Sequence, residues 1–138
     1  MADIVVGYDG GDCAKAALEL ADSAAKALGD RVVVAWVFES RPLGGEAHDL
    51  DEALREMGER VTSEGAETAR AAGVDVEVLI LRGDNPASAL SELAAERQAR
   101  LIAVGTHGES PLKGALIGST PHKLVQIAET PVLVVPKR

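Results

Sequence analysis

The sequence predicts an α/β protein, a doubly wound five-stranded parallel sheet of order 3-2-1-4-5 with helices on both faces. Three observations carry that expectation. Compact apolar runs rich in β-branched residues recur five times, most without the apolar–polar alternation of a half-exposed strand, so both faces are expected to be covered. Between them lie four segments whose apolar residues return at helical spacing, giving the order β-α-β-α-β-α-β-α-β. Glycine-rich loops follow the first and fourth runs, which in this winding are neighbours at the point where its direction reverses.

The first strand is read at Asp3 to Tyr8 and stops at Gly7-Tyr8-Asp9-Gly10-Gly11. Ala14, Ala17, Leu18, Ala21, Ala25 and Leu28 then mark one helix face, started by Asp12 or the glycine before it and closed by Gly29-Asp30. Cys13, at the start of this helix, has no base beside it in the sequence and reads as a small packing residue. Arg31 to Phe38 is the second strand, and Glu39 to Ala47 a loop containing Pro42, Gly44 and Gly45. A charged helix follows to about Ala72, with Leu50, Leu54, Met57 and Val61 as its apolar stripe, Met57 as core filler and His48 in its approach. Val74 to Leu81 alternates Asp75 and Glu77 with valines, as expected of an edge strand guarded by charge. Asn85 and Pro86 read as N-cap and first residue of a helix carrying Ala89, Leu90, Leu93 and Ala94. After the strand Leu101 to Val104 and the long glycine loop, a short helical turn is expected around Leu112 to Ile117. The last helix, from about Pro121 to Ala128, is expected to bury Leu124, Val125 and Ile127 or Ala128, and Val132 to Val135 is the final strand.

Composition narrows the function classes. At 138 residues the chain reads as one domain, 1–138, able to bury a core without a disulfide or metal. Cys13 is the only cysteine, so no intrachain disulfide can form, in keeping with a reducing compartment. No leader-like segment or run of roughly 18 apolar residues is present, and a cytoplasmic protein without a membrane partner is expected. A net charge of −8, scattered basic residues and a single Trp, Tyr and Phe argue against nucleic acid, whose phosphates would be repelled and whose bases would find few rings to stack on.

The stretch GTHGESPLKGALIGST, Gly105 to Thr120, concentrates the chemistry. Four glycines between a strand and a helix let a ligand approach backbone N–H groups, and the helix start favours negative charge; the bland alternative is a long connection punctuated by glycine. A Walker A order is absent, since Lys113 is followed by Gly114, and so is Gly-x-Gly-x-x-Gly. What stands is Gly105-x2-Gly108-x9-Gly118-Ser119. In this the chain resembles the universal stress protein family, whose nucleotide-binding members carry Gly-x2-Gly-x9-Gly-Ser/Thr here. Asp9-Gly10, Gly83-Asp84-Asn85-Pro86, Gly105-Thr106-His107-Gly108 and Thr130-Pro131-Val132-Leu133-Val134-Val135 extend the resemblance over nearly the whole chain.

The resemblance implies an adenine nucleotide α-hydrolase-like fold that binds ATP, with or without Mg2+, in a dimeric stress-response sensor. Carried over by position, Gly7, Tyr8 and Asp9 would form the first loop's part of the site, with Asp9 holding ribose hydroxyls or the adenine edge. Backbone groups around Val37 and Val104 would flank the base. Gly105 and Gly108 would admit ribose and phosphate, and Gly118, Ser119 and Thr120 would donate to phosphates. Helix capping is the competing role for Asp9, Ser119 and Thr120. Two departures stand out: Gly11 replaces a serine common in the family, and Pro121, without an N–H, follows Thr120. Losing one donor to a charged phosphate costs about 1.5–3 kcal/mol, so weakened binding is expected, helped by free N–H groups on His122 and Lys123. No catalytic constellation is legible, and His48, His107 and His122 lack metal-ligand spacing; turnover, if any, would be slow hydrolysis or autophosphorylation. The uncharged strand Val132 to Val135 is expected to pair with a second copy. The alternative is an interaction module of the same fold that no longer binds nucleotide.

Overall fold

The computed structural model describes residues 1–39, 44–108 and 119–137, excepting the side chains of 44–48. The expected short turn around Leu112 to Ile117, and Gly118, lie outside these residues. The elements are β1 (Asp3–Gly7), α1 (Asp12–Leu28), β2 (Arg31–Phe38), α2 (Gly44–Ala71), β3 (Val76–Arg82), α3 (Pro86–Arg97), β4 (Leu101–Gly105), α4 (Ser119–Ile127) and β5 (Val132–Val135). All neighbouring strands are parallel and the order is β3-β2-β1-β4-β5, as the sequence predicts.

The strand period of two splits the core into two layers. Ile4, Val6, Val32, Val34 and Ala103 face α1 and α2, whereas Val5, Val33, Ala35, Ile102 and Val104 face α3 and α4. This is why the runs read as continuously apolar: each residue is buried on one face or the other. At the N-terminal ends of the strands the chain is tied by charge. Arg31 and Arg97 both reach Asp3 and Glu77, while Arg100 and the Ala2 N–H hold the buried Asp30. Glu77 is therefore not a solvent-facing guard of the β3 edge as expected, but half of an ion-pair network joining β3, β2, β1 and α3. Asp75 lies just before the strand, which starts at Val76.

The helices differ from expectation mainly in register. Helix α1 starts from Gly11, with no side-chain cap, and ends on Gly29 in the left-handed conformation (φ 72°). Leu28, expected inside, is exposed, and Asp22 is buried instead. Helix α2 begins at Gly44, within the expected loop, and its inward face runs through Gly58, Thr62, Gly65, Ala66 and Ala69. Leu50 is exposed and Met57 is 43% exposed, so Met57 is not core filler. The face is small because it lies directly on rings: a Cβ at Gly58 would stand 2.7 Å from Trp36 Nε1, and one at Gly65 3.0 Å from Tyr8 Cε2. Helix α3 begins as expected, with the Ser88 N–H donating to Asn85 Oδ1 (2.8 Å) and Pro86 in the first turn. Helix α4 starts at Ser119, two residues earlier than expected; it buries Leu124 and leans Ala128 on the core, but leaves Val125 (60%) and Ile127 (43%) exposed.

Candidate functional site

At the C-terminal ends of the strands, the chain after β1 turns toward α1 and the chain after β4 runs on toward α4. They meet at one carboxylate. The Gly11 N–H donates to Asp9 Oδ1 (2.8 Å), fixing the turn, while Asp9 Oδ2 faces Gly108, where an added Cβ would stand 3.5 Å away. Gly10, with φ 83°, makes the turn possible beneath Val61 of α2. Asp9 thus fixes the turn before α1 without capping the helix, and places its second oxygen at the junction of the two loops.

The sheet supplies a second feature. Successive residues of a strand turn their N–H and C=O to opposite edges. Ala35 faces β1, since its carbonyl accepts the Tyr8 N–H (2.9 Å), and Phe38 faces β3, since its carbonyl accepts the Gly83 N–H (3.1 Å). Val37 consequently presents its N–H and C=O to the β1 side, two residues past Ala35 of the last β1–β2 pair, Gly7↔Ala35. A donor and an acceptor side by side at this edge suit the amino and ring-nitrogen edge of a purine. The side chain of Val37 approaches the turn after β3, where a Cβ at Gly83 would lie 3.9 Å from Val37 Cγ1.

The remaining expected residues fall into two groups. Gly7 and Val104 pack with the core beneath α3: a Cβ on Gly7 would meet Leu90 Cδ1 at 2.8 Å and Val104 Cγ1 at 3.1 Å. The backbone of Val104 is directed to β5, because its neighbours in phase, Ile102 and Thr106, donate to Pro131 and Val135. Gly105, out of phase, points its backbone to β1, and its α-carbon abuts α1, where a Cβ would lie 2.6 Å from the Cys13 carbonyl carbon. Tyr8 contributes only backbone here. Its ring lies in the α1–α2 layer against Gly65, and burial, then Glu64 and Asp9, push its hydroxyl above the ordinary range. Ser119 is exposed and Thr120 half-buried in the first turn of α4.

Pro121 is buried at the third helical position. With Ser119 in the first helical position, the Lys123 N–H falls within the intrahelical ladder and is not the free donor expected from sequence. Ser119 and Thr120 are left as the described N–H donors of this turn. Thr106 was not singled out from sequence, yet its hydroxyl lies 3.6 Å from Cys13 Sγ and 3.1 Å from His107 Nδ1, joining the loop to α1. Among the described residues no group of three or more His, Cys, Asp or Glu side chains is placed to hold a metal ion.

A model described as the universal stress protein family matches residues 1–136. The chain belongs to that family. A universal stress protein of Thermus aquaticus, from the QAH/OAS sulfhydrylase 3′ region, is 35% identical over 132 residues, covering 96% of each chain. Among solved structures, a universal stress protein in complex with cAMP superposes with TM-score 0.80 at 30% identity, over 99% of this chain and 98% of that one. A universal stress protein from Archaeoglobus fulgidus in complex with dAMP, 23% identical, shares the fold with TM-score 0.73, over 98% of this chain and 97% of that one. Among the described residues no helix is long and apolar enough to cross a membrane.

Proposed function

We propose that this universal stress protein binds an adenine nucleotide, ATP in the cell, in the crevice between the loops after β1 and β4, and that it acts as a dimeric, cytoplasmic stress-response sensor. The observation that carries the reading is the convergence of Asp9 and Gly108 beside the outward-turned backbone of Val37. Val37 offers the base a donor and an acceptor, Asp9 accepts from ribose hydroxyls, and Gly105 and Gly108 keep the approach clear of side chains. Gly118, Ser119 and Thr120 donate to the phosphates. Mg2+ would arrive with the phosphates, since the described residues contain no metal cluster of their own. The cAMP complex of the 30% identical relative supports the same ligand class.

Dimerisation is read from the β5 edge. Val132 to Val135 carries no charge, and α1 and α4, the helices that pack against it, leave Leu20, Val125 and Ile127 exposed. A second copy pairing its β5 antiparallel would cover all three.

One observation favours the alternative of a nucleotide-free interaction module: Pro121 removes a donor from the turn that would meet the phosphates. Mass spectrometry of small molecules released on denaturing the protein, purified without added nucleotide, followed by calorimetric titration of ATP–Mg2+ into wild type and Gly118→Val, separates the two. Released adenine nucleotide, or saturable binding lost in the variant, is expected. An empty protein and a flat wild-type titration would leave the interaction module standing.

A further inference from the structure

Away from the crevice, the seam between α1 and α2 holds a carboxylate that the nucleotide site does not use. Asp22 is 5% exposed, and its Oδ1 is enclosed with no hydrogen-bond partner. Its place follows from the helix period. Leu18, one turn earlier, packs on α2, where a Cβ at Gly65 would stand 3.2 Å from Leu18 Cδ2; Lys26, one turn later, donates from Nζ to the Ala72 carbonyl just past the end of α2 (3.1 Å). Asp22 lies between these two contacts on the same flank. Its own helix brings Glu19 one turn before it and Lys26 one turn after it. Helix α2 turns Gly65, Ala66 and Ala69 inward; of its charges, Glu64 acts on Tyr8, and Arg70 is the basic residue of the last turn. The strands beneath α1 supply only apolar side chains, among them Ile4 and Val6.

We propose that Asp22 and Lys26 form a proton-controlled clasp on the α1–α2 seam, in which neutral Asp22 leaves Lys26 on the end of α2 and ionised Asp22 draws it away. The chemistry is a competition for one ammonium group. A Lys side chain on the last carbonyls of a helix satisfies an acceptor the helix cannot, whereas an ionised carboxylate four residues earlier on its own helix is a stronger partner. The enclosed Oδ1 has no partner for a charge where it stands, so ionisation pulls the side chain toward water and Lys26. Burial, followed by Glu19, pushes the Asp22 carboxyl up to about 6, which brings the exchange to mildly acidic pH. The seam matters to the proposed site because α1 starts from Gly11, which donates to Asp9, and carries Cys13, which backs Gly105.

The sign follows from the raised value. The folded state binds the proton more tightly than the unfolded one, so stability is greatest at low pH and is lost between about 4 and 6. Relative to Asp22→Asn, the wild-type unfolding constant is expected to be on the order of 100-fold larger at pH 7 but only about sixfold larger at pH 4.5. The test is urea unfolding together with amide hydrogen exchange, corrected for intrinsic rate, on wild type, Asp22→Asn and Lys26→Met from pH 4.5 to 7.5. Protection at 72–74 should fall through pH 6 in wild type, stay high in Asp22→Asn and be low throughout in Lys26→Met. Equal pH slopes in wild type and Asp22→Asn, or a stability slope without a change in protection at 72–74, would overturn the clasp. Should Asp22→Asn fail to fold, carboxyl carbon NMR of wild type decides: titration of Asp22 in the ordinary aspartate range would also overturn it.

Discussion

Asp9 shows how much one side chain's position settles. From sequence it is a carboxylate ending an apolar run, read as a ligand for ribose or the adenine edge with helix capping as the competing role; in the fold one oxygen takes the Gly11 N–H and the other faces Gly108. Asp9→Asn keeps an acceptor for Gly11 but loses the charge offered to ribose hydroxyls. It should weaken adenine-nucleotide binding about 10- to 100-fold with little change in unfolding midpoint, as read by calorimetry and urea titration. Gly105 behaves differently. It was singled out as leaving room for ligand, but it also stands against the backbone of Cys13. Gly105→Ala should destabilise by about 2 kcal/mol or more, because its Cβ would press a helix rather than a movable side chain.

At the scale of elements, the strands were legible and the helix faces only partly so. A strand buried on both sides announces itself as an unbroken apolar run, and the strands fall within two residues of their expected places. In helix α2 Val61 packs on the core as expected, but Leu50 and Met57 do not, because a stripe is sought among large apolar residues whereas this helix meets Trp36 through Gly58 and Tyr8 through Gly65. Leu50 and Met57 are apolar by type and exposed by register. Met57→Gln is therefore expected to change stability by no more than about 0.5 kcal/mol, and the neighbouring Gly58→Ala to cost about 1–3 kcal/mol, measured side by side in urea. The start of α4 was misplaced for a related reason. Proline is tolerated anywhere in the first turn, since those N–H groups have no intrahelical partner, so Pro121 does not mark the first residue. Asp22 was invisible to pattern reading: it sits at the edge of the α1 face, where a polar residue is normally solvated.

At the scale of the molecule, strand order follows from the alternation of elements and the placing of glycine-rich loops, which puts the loops after β1 and β4 at the ends of neighbouring strands. The charge network at the opposite end of the sheet was not legible, because its partners are far apart in sequence: Asp3 with Arg97, and Asp30 with Arg100. It has a consequence for acid stability. The Arg100 hydrogen bond, against burial and aided by the Ala2 N–H, holds the Asp30 carboxyl below the usual range. A depressed value contributes stability above the ordinary carboxylate range that is lost as pH falls through the folded value. Arg100→Met should therefore flatten the acid limb of a thermal-stability profile below about pH 4. At the β5 edge, Val125→Glu with Ile127→Glu should convert a dimer to a monomer in light scattering at micromolar concentration; a wild type already monomeric would remove that part of the reading.

The proposed site divides into a half around the described residues Asp9, Val37, Gly105 and Gly108, and a proposed phosphate half at Gly118, Ser119 and Thr120, of which Gly118 lies outside the described residues. Titrating ATP–Mg2+ into uniformly 15N-labelled protein and following backbone amides tests both at once. The expected result is saturable shifts at Gly10, Gly11, Val37, Gly105, Gly108, Ser119 and Thr120, with the amides of the Asp3–Arg97 end of the sheet unmoved. Amides that stay in place up to millimolar nucleotide, or that shift only away from the ends of β1, β2 and β4, would contradict a nucleotide site in this crevice.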